Sequence, residues 1–373
     1  MQTCNEVGHV AVIGAGVAGA VCARDLMLSG CQVQVFDKSR GAGGRLATRR
    51  AQWQDAQSQP RSTKFDHGAT GFGATTPAFR AFADQACRSG WLTSWTPVTA
   101  PGTASAGALY VPIPDMPRLT RELLCGIDFC WDTPIEALHR QGDGWRLRSR
   151  GEALPGAFDA VVLAMPPAQS AMLLAPHEPA WAQRAAQVLM QPCWTLMGIA
   201  EPPQGAAAWD LARPAHPVID LLSRNERRPG RERRPDEAHW VAHARADWSR
   251  EQLEQPGDEV QARMQAAVAE CLGEPVRWRH AVVHRWRYAQ PGLPLAAPAD
   301  SCWWDAASGL GVCGDFLGGL GVEGAWQSGA ALAGAVLGNT AAREAARGPS
   351  AGADDASALR LRSRSIPFAH RNT

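Results

Sequence analysis

Residues 10–45 read VAVIGAGVAGAVCARDLMLSGCQVQVFDKSRGAGGR, with a glycine cluster on either side of Asp37. The alternative to a binding turn is an ordinary glycine-rich loop, and the surroundings argue against it. His9–Ile13 is a short apolar run with strand character, and Gly14, Gly16 and Gly19 follow at once as G-x-G-x-x-G. The spacing predicts strand, tight turn and helix, the helix running to about Ser29. Gly14 makes the turn, Gly16 lets the backbone approach a pyrophosphate, and Gly19 lets the helix pack on its strand. Ala15, Val17 and Ala18 complete the phosphate-facing turn. The positive helix end contributes about 0.3–1 kcal/mol toward an anion, so it positions a dinucleotide more than it holds one. CQVQVF alternates as a second strand and delivers Asp37 twenty-three residues after Gly14, where a carboxylate accepts from ribose hydroxyls.

Composition narrows what such a turn can serve. A formal net charge of +1 over 373 residues gives no reason to expect nucleic acid or a membrane as partner. No apolar run approaches the roughly 20 residues of a bilayer span, and the N-terminus lacks a secretory pattern, so a cytoplasmic location is expected. The ten cysteines show no C-x-x-C and no zinc spacing, which predicts reduced core thiols and no metal site. Fifteen tryptophans against two tyrosines predict large aromatic packing, with a few rings free to face a flat ligand.

The second cluster separates FAD from NAD. Lys38, Arg40, Gly43, Gly44 and Arg45 set flexible backbone among fixed positive charges. A simple NAD unit has no need of this, whereas an elongated FAD must be clasped from a second side. A distant stretch fits the same cofactor: LGVCGDFLGGLGVEGAWQSG, residues 310–329, predicts a strand, a loop holding Gly314 and Asp315, and a helix from about Val322. Asp315 is placed to accept from the ribityl chain, and the amides near Val322 and Glu323 to meet the flavin edge. The Glu323 side chain is expected to turn away, since a carboxylate beside a reduced anionic flavin is unfavourable. FDAVVLAMPP, 158–167, reads as a central parallel strand, and 127–151 as a small β-meander.

Four blocks carry a family resemblance: DKSRGAGGR, FDHGATGF (65–72), HRWRYAQP (284–291) and CGDFLGGLGVEGAWQSG (313–329). The chain resembles the renalase family, especially its bacterial members, within the flavin amine oxidase superfamily, over about residues 9–337. The resemblance implies an α/β fold in which a Rossmann-type FAD-binding domain, p-hydroxybenzoate hydroxylase-like, is interleaved with a mixed-sheet substrate domain. It also implies non-covalent FAD and oxidation of the 1,2- and 1,6-dihydro isomers of NAD(P)H to NAD(P)+, with O2 reduced to hydrogen peroxide. The chain departs from that family at Thr70, Gly71 and Gly321, which removes a polar group, a ring and an arginine near the flavin.

Domain limits follow from these placements: FAD-binding 1–72, 113–168 and 302–340; substrate domain 73–112 and 169–301; a mobile tail from 341 to 373. QWQDAQSQPRSTK (52–64) and the charged RNERRPGRERRPDE (224–237) read as surface loops. Hydride transfer to a flavin requires orientation and dryness more than an acid or base, and holding donor and acceptor about 3–3.5 Å apart supplies about 7–11 kcal/mol of barrier. No nucleophile, triad or metal set is expected. The pocket candidates are His67, Phe72, Trp240, His243, Trp248, His284, Trp286 and Tyr288. The function classes are a renalase-like oxidase, an amine oxidase or ring desaturase of the same superfamily, and a carrier without redox chemistry; a monomer or homodimer is expected.

Overall fold

A computed structural model describes residues 8–55, 57–203, 208–292 and 300–347. The chain opens with β1 (His9–Ile13), α1 (Val17–Leu28), β2 (Gln32–Phe36) and a hairpin of β3 (Thr48–Gln54) and β4 (Pro60–Asp66). It continues through α2 (Pro77–Arg88), β5 (Leu92–Trp95), β6 (Leu109–Pro112), α3 (Arg118–Leu123) and β7 (Asp128–Cys130). A meander of β8 (Ile135–Gln141), β9 (Gly144–Ser149) and β10 (Glu152–Ala153) leads to β11 (Ala160–Leu163), α4 (Pro167–Leu174) and α5 (Pro179–Ala186). Then come β12 (Met190–Ala200), β13 (Leu211–Ala212), β14 (Ile219–Arg224), β15 (Ala238–Ala244), α6 (Ala246–Glu251), α7 (Gly257–Leu272) and β16 (Trp278–Pro291). The last elements are β17 (Trp303–Asp305), β18 (Leu310–Val312), α8 (Asp315–Gly318) and α9 (Gly321–Arg347).

Among the described residues two large sheets form. One has the order β17-β18-β11-β1-β2-β7, parallel except at its β17 edge. Its central strands are apolar on both faces because both are covered. Val10, Val12, Val33 and Val35 meet α1, α3 and α9, while Ala11, Ile13, Val161 and Leu163 meet the meander and α4–α5. The second sheet is antiparallel in its main pairings, with the order β13-β14-β15-β12-β16. One face packs on α7 and the other on the β3–β4 hairpin. This is the expected fold, a Rossmann-type domain joined to a mixed-sheet domain.

Several boundaries are corrected. Residues 52–64 are not a loop but most of the β3–β4 hairpin, because Ala51, Trp53, Thr63 and Phe65 alternate inward beneath a polar outer face. Residues 73–112 were expected with the substrate domain. Phe79, Ala83 and Ala86 instead form one helical stripe that packs, with Leu92 and Val111, into the α1–α9 core. Helices α4 and α5 likewise pack on the first sheet, through Leu173, Leu174 and Ala185. The 224–237 segment is not a solvated loop, since Arg224, Asn225, Glu226 and Arg228 are buried, the three charged side chains ion-paired and Asn225 hydrogen-bonded to the backbone of Lys64 and Asp66. Helix α9 runs through 341–347, and the rest of the expected tail, 348–373, lies outside the described residues.

Candidate active site

The first glycine turn leaves no choice of residue. Gly14 sits at φ +112, where a side chain is strained, and a Cβ there would lie 2.3 Å from the Ala164 carbonyl oxygen. A Cβ on Gly19 would meet the Gly14 oxygen at 2.0 Å, whereas one on Gly16 would meet nothing within 4 Å, because Gly16 faces open space. Helix α1 begins there with no side-chain cap and no acid in its first turn. Its free amides therefore point into the cleft.

The two glycine clusters meet each other. Gly43 N–H donates to the Ala15 carbonyl at 3.0 Å, and a Cβ on Gly44 would stand 3.3 Å from Gly16 Cα. Asp37 closes the arrangement by accepting from Ala15 N at 2.7 Å and Ser39 N at 2.7 Å. These bonds occupy part of its capacity of about four lone-pair sites, so ribose hydroxyls find acceptors still open.

One continuous cleft of about 2280 Å³ runs from this turn to the second sheet. It is larger than the usual 300–1,000 Å³ of a small-molecule site. Gly14, Gly16, Val17, Ala18, Asp37 and Lys38 line it, as do Arg40, Gly43, Gly44, Arg45, Gly314, Asp315 and Val322. Ala15 and Gly19 lie behind the turn. Glu323 points away from the cleft and accepts four hydrogen bonds of 2.6–2.8 Å from the amides and hydroxyls of Thr75 and Thr76. Burial pushes its carboxyl up, but those donors outweigh it and hold the group down at about 2.

Two residues that sequence assigned to the cofactor separately are bonded to each other. Arg45 donates to Asp315 through Nη1 at 2.6 Å and Nη2 at 2.7 Å, and from Nη1 to the Ala289 carbonyl at 3.3 Å. The guanidinium thus ties the second glycine loop to α8 and to β16.

At the far end the second sheet presents a row of side chains. Registers across β14, β15, β12 and β16 place Leu221, His243, Thr195 and His284 side by side. His67, from the end of the hairpin, covers that row. Its ring stacks on Trp286 at 5.0 Å and meets His284 edge-on at 4.7 Å. Its carbonyl accepts from Trp286 Nε1 at 3.1 Å and from His243 Nε2 at 3.3 Å. His67 is 6% exposed, and its Nδ1 has no hydrogen-bond partner. Tyr288 lines the same space.

Three pocket candidates are corrected. Trp240 lies one residue from His239 and Val241 on β15, so strand alternation turns it to the opposite face, against Trp209. Trp248 packs in that same cluster. Phe72 is buried between Phe79 and Tyr110.

The histidines are held neutral. Burial, the neighbouring His284, the Arg49 guanidinium and His243 push His67 down to about 3. Burial and Arg228 push His243 down to about 4, and burial with Arg49 does the same to His284. Because all three fall below the ordinary 6.5, the unfolded chain binds more protons than the folded one. Their contribution to stability is complete above about pH 6.5 and is lost as pH falls through about 4. Substrate KM should therefore be flat between about pH 5 and pH 8, and an inflection near the ordinary histidine value would contradict the assignment. Burial likewise pushes the Cys193 thiol on the cleft wall up to about 12, so it offers no thiolate nucleophile. Among the described residues no group of three or more His, Cys, Asp or Glu could hold a metal ion. No described helix is long and apolar enough to cross a membrane.

An uncapped helix end at a glycine turn, an acid beside it with acceptor sites left open, and a cleft that also takes in the start of α9 fit FAD. Fold and site together define an FAD-dependent oxidoreductase. The chain belongs to the flavin containing amine oxidoreductase family, which matches residues 116–337, and residues 12–86 match an NAD(P)-binding Rossmann-like domain. Its fold is similar to that of a protein provisionally named protoporphyrinogen oxidase from Exiguobacterium sp. 255-15, with TM-score 0.67 at 11% identity over 90% of this chain and 99% of that one. Cyclohexylamine oxidase from Brevibacterium oxydans IH-35A gives TM-score 0.63 at 13% identity, covering 90% and 100%. Wild-type putrescine oxidase gives 0.53 at 13%, covering 89% and 99%.

Sequence reasoning missed Thr195, Cys193 and Leu221 of the second-sheet wall. Their only signal is register, Thr195 with His243 and His284, Leu221 with His243 and Cys193 with Trp286, which pairing supplies and spacing does not.

Proposed function

We propose that the chain is a renalase-like oxidase that dehydrogenates 1,2- and 1,6-dihydro isomers of NAD(P)H to NAD(P)+, with O2 taking the electrons and leaving as hydrogen peroxide. The bound flavin supplies the hydride acceptor. Gly14–Gly19, Asp37, the Gly43–Arg45 loop and Asp315 would hold the dinucleotide, and the amide of Val322 would serve the flavin. Their task is orientation and exclusion of water.

The observation that carries the reading is the wall made by His67, His243, His284 and Trp286. It is aromatic, and its imidazoles are uncharged. Such a surface suits a planar reduced pyridine. The wall itself contains no carboxylate to receive an ammonium, and Asp220, which acts on His243, is paired with Arg213 at 2.8 Å.

The test is anaerobic mixing of the holoenzyme with borohydride-reduced NAD(P)+ isomers beside a panel of primary amines. Bleaching of the flavin band by the isomers alone, with peroxide formed when air is readmitted, is the expected result. Bleaching by amines alone would replace this reading with an amine oxidase.

A further inference from the structure

Behind the substrate wall lies a buried charge cluster that does not balance. Asp66, immediately before His67, accepts from Thr48 Oγ1 at 2.5 Å, from Arg231 Nε at 2.7 Å and, at 3.4 Å, from Arg228 Nη1. Arg228 Nη2 also donates to Ser223 Oγ at 3.0 Å. Ser223 pairs with Val241, two residues from His243 on the same strand. Alongside, Arg224 pairs with Glu226 at 2.6 Å. All five charged side chains are at most 7% exposed, and they comprise three guanidinium groups against two carboxylates. Glu237, 7% exposed as well, bonds His239 at 2.8 Å, and the guanidinium groups beside it, Arg234 and Arg279 at 3.5 and 3.8 Å, have closer partners in Glu232 and Asp236; the surplus is local to Asp66, which Arg228 and Arg231 share. The Nε of Arg228 has no hydrogen-bond partner.

We propose that this surplus guanidinium makes Arg228 a specificity-determining residue, whose positive potential behind the His67–His243 wall admits uncharged or anionic rings to the chamber and turns away ammonium ions. The proposal deepens the functional reading above and rests on it only in placing the substrate against this wall. Arg228 already opposes protonation of His243, and a ligand cation in front of that ring meets the same repulsion. Asp220 acts on His243 in the opposite sense, but it is paired with Arg213 at 2.8 Å. A buried charge acts through low-dielectric protein and is not screened by salt, unlike the cleft-lining Arg245, which is exposed.

Three benzene-ring probes of similar size test it on the holoenzyme: benzoate, benzamide and benzylammonium, each titrated anaerobically against the flavin spectrum. Benzoate should bind at least about tenfold more tightly than benzylammonium. That ratio should survive at about 1 M salt, where the screening length falls to about 3 Å. Arg228→Met leaves Asp66 paired with Arg231; it should shrink the ratio about tenfold and leave benzamide unchanged. Benzylammonium binding or bleaching as readily as benzoate binds would overturn the proposal, as would an equal effect of Arg228→Met on all three probes. Collapse of the wild-type ratio in salt would assign the selection to exposed arginines instead, whether or not the variant folds. Failure of dihydropyridine isomers to bleach the flavin would remove the earlier reading and leave this ranking intact.

Discussion

Gly329→Ala is expected to destabilise the protein by about 3 kcal/mol, although the same change in an exposed helix normally stabilises by about 1 kcal/mol. Gly329 lies on α9 where that helix crosses α1, and a Cβ there would stand 2.3 Å from the Ala18 carbonyl oxygen. Backbone cannot rotate aside as a side chain does, so the helices must separate. That separation loosens Leu332, Ala333 and Val336 from their packing with Ala18, Val21 and Cys22. Gly334, five residues along the same helix, is the internal control. A Cβ there meets nothing within 4 Å, so Gly334→Ala should raise stability by about 0.5–1 kcal/mol through propensity alone. Thermal melts of both variants decide the matter, and a Gly329→Ala protein as stable as wild type would mean that α1 and α9 do not cross as closely as described. Since α1 begins at the Gly14–Gly19 turn, the same variant should also bind FAD more weakly in a titration of the apoprotein.

How much of this was readable from sequence depends on how local the determining interaction is. β1, the glycine turn, α1 and β2 were legible because each rests on contacts within one turn or one strand step. The second glycine loop reads from function as a second clasp on the cofactor, but that it meets the first, Gly43 on Ala15, belongs to three dimensions. The hairpin at 48–66 was hidden because only Ala51, Trp53, Thr63 and Phe65 face inward, and its other positions are polar. Trp240 shows a narrower failure. On a strand a residue's neighbour faces the opposite side, and without register nothing in the sequence says which side is the pocket. The 224–237 segment misled most, because charge composition reports the cost of burial but not the partner that offsets it. Asp66, which receives Arg228 and Arg231, stands 162 and 165 residues away.

Substituting the two ends of the Arg45–Asp315 pair should rank the variants oppositely in stability and in cofactor affinity. Asp315 is 4% exposed at its side chain and Arg45 is 36% exposed. Arg45→Ala strands a buried carboxylate, and breaking such a pair costs about 3–5 kcal/mol when both partners are buried, so about 2–3 kcal/mol is expected here. Asp315→Ala strands a guanidinium that can turn toward water, for about 1 kcal/mol or less. Affinity should invert this order. Arg45 uses two of the roughly four acceptor sites on the carboxylate, and the ribityl role proposed for Asp315 draws on the remainder. Hydrogen bonds to a charged group are worth about 1.5–3 kcal/mol each, so Asp315→Ala should weaken FAD binding about a hundredfold. Arg45→Ala keeps the acceptor but frees its orientation, for about tenfold. The double variant should recover most of the stability lost in Arg45→Ala, because no charge is then left buried alone, while its FAD affinity stays at the Asp315→Ala level. Chemical denaturation of the four apoproteins and FAD titrations by fluorescence give both rankings. Unchanged FAD affinity in Asp315→Ala would withdraw the ribityl role from Asp315 and leave the pair as a structural tie among the second glycine loop, α8 and β16.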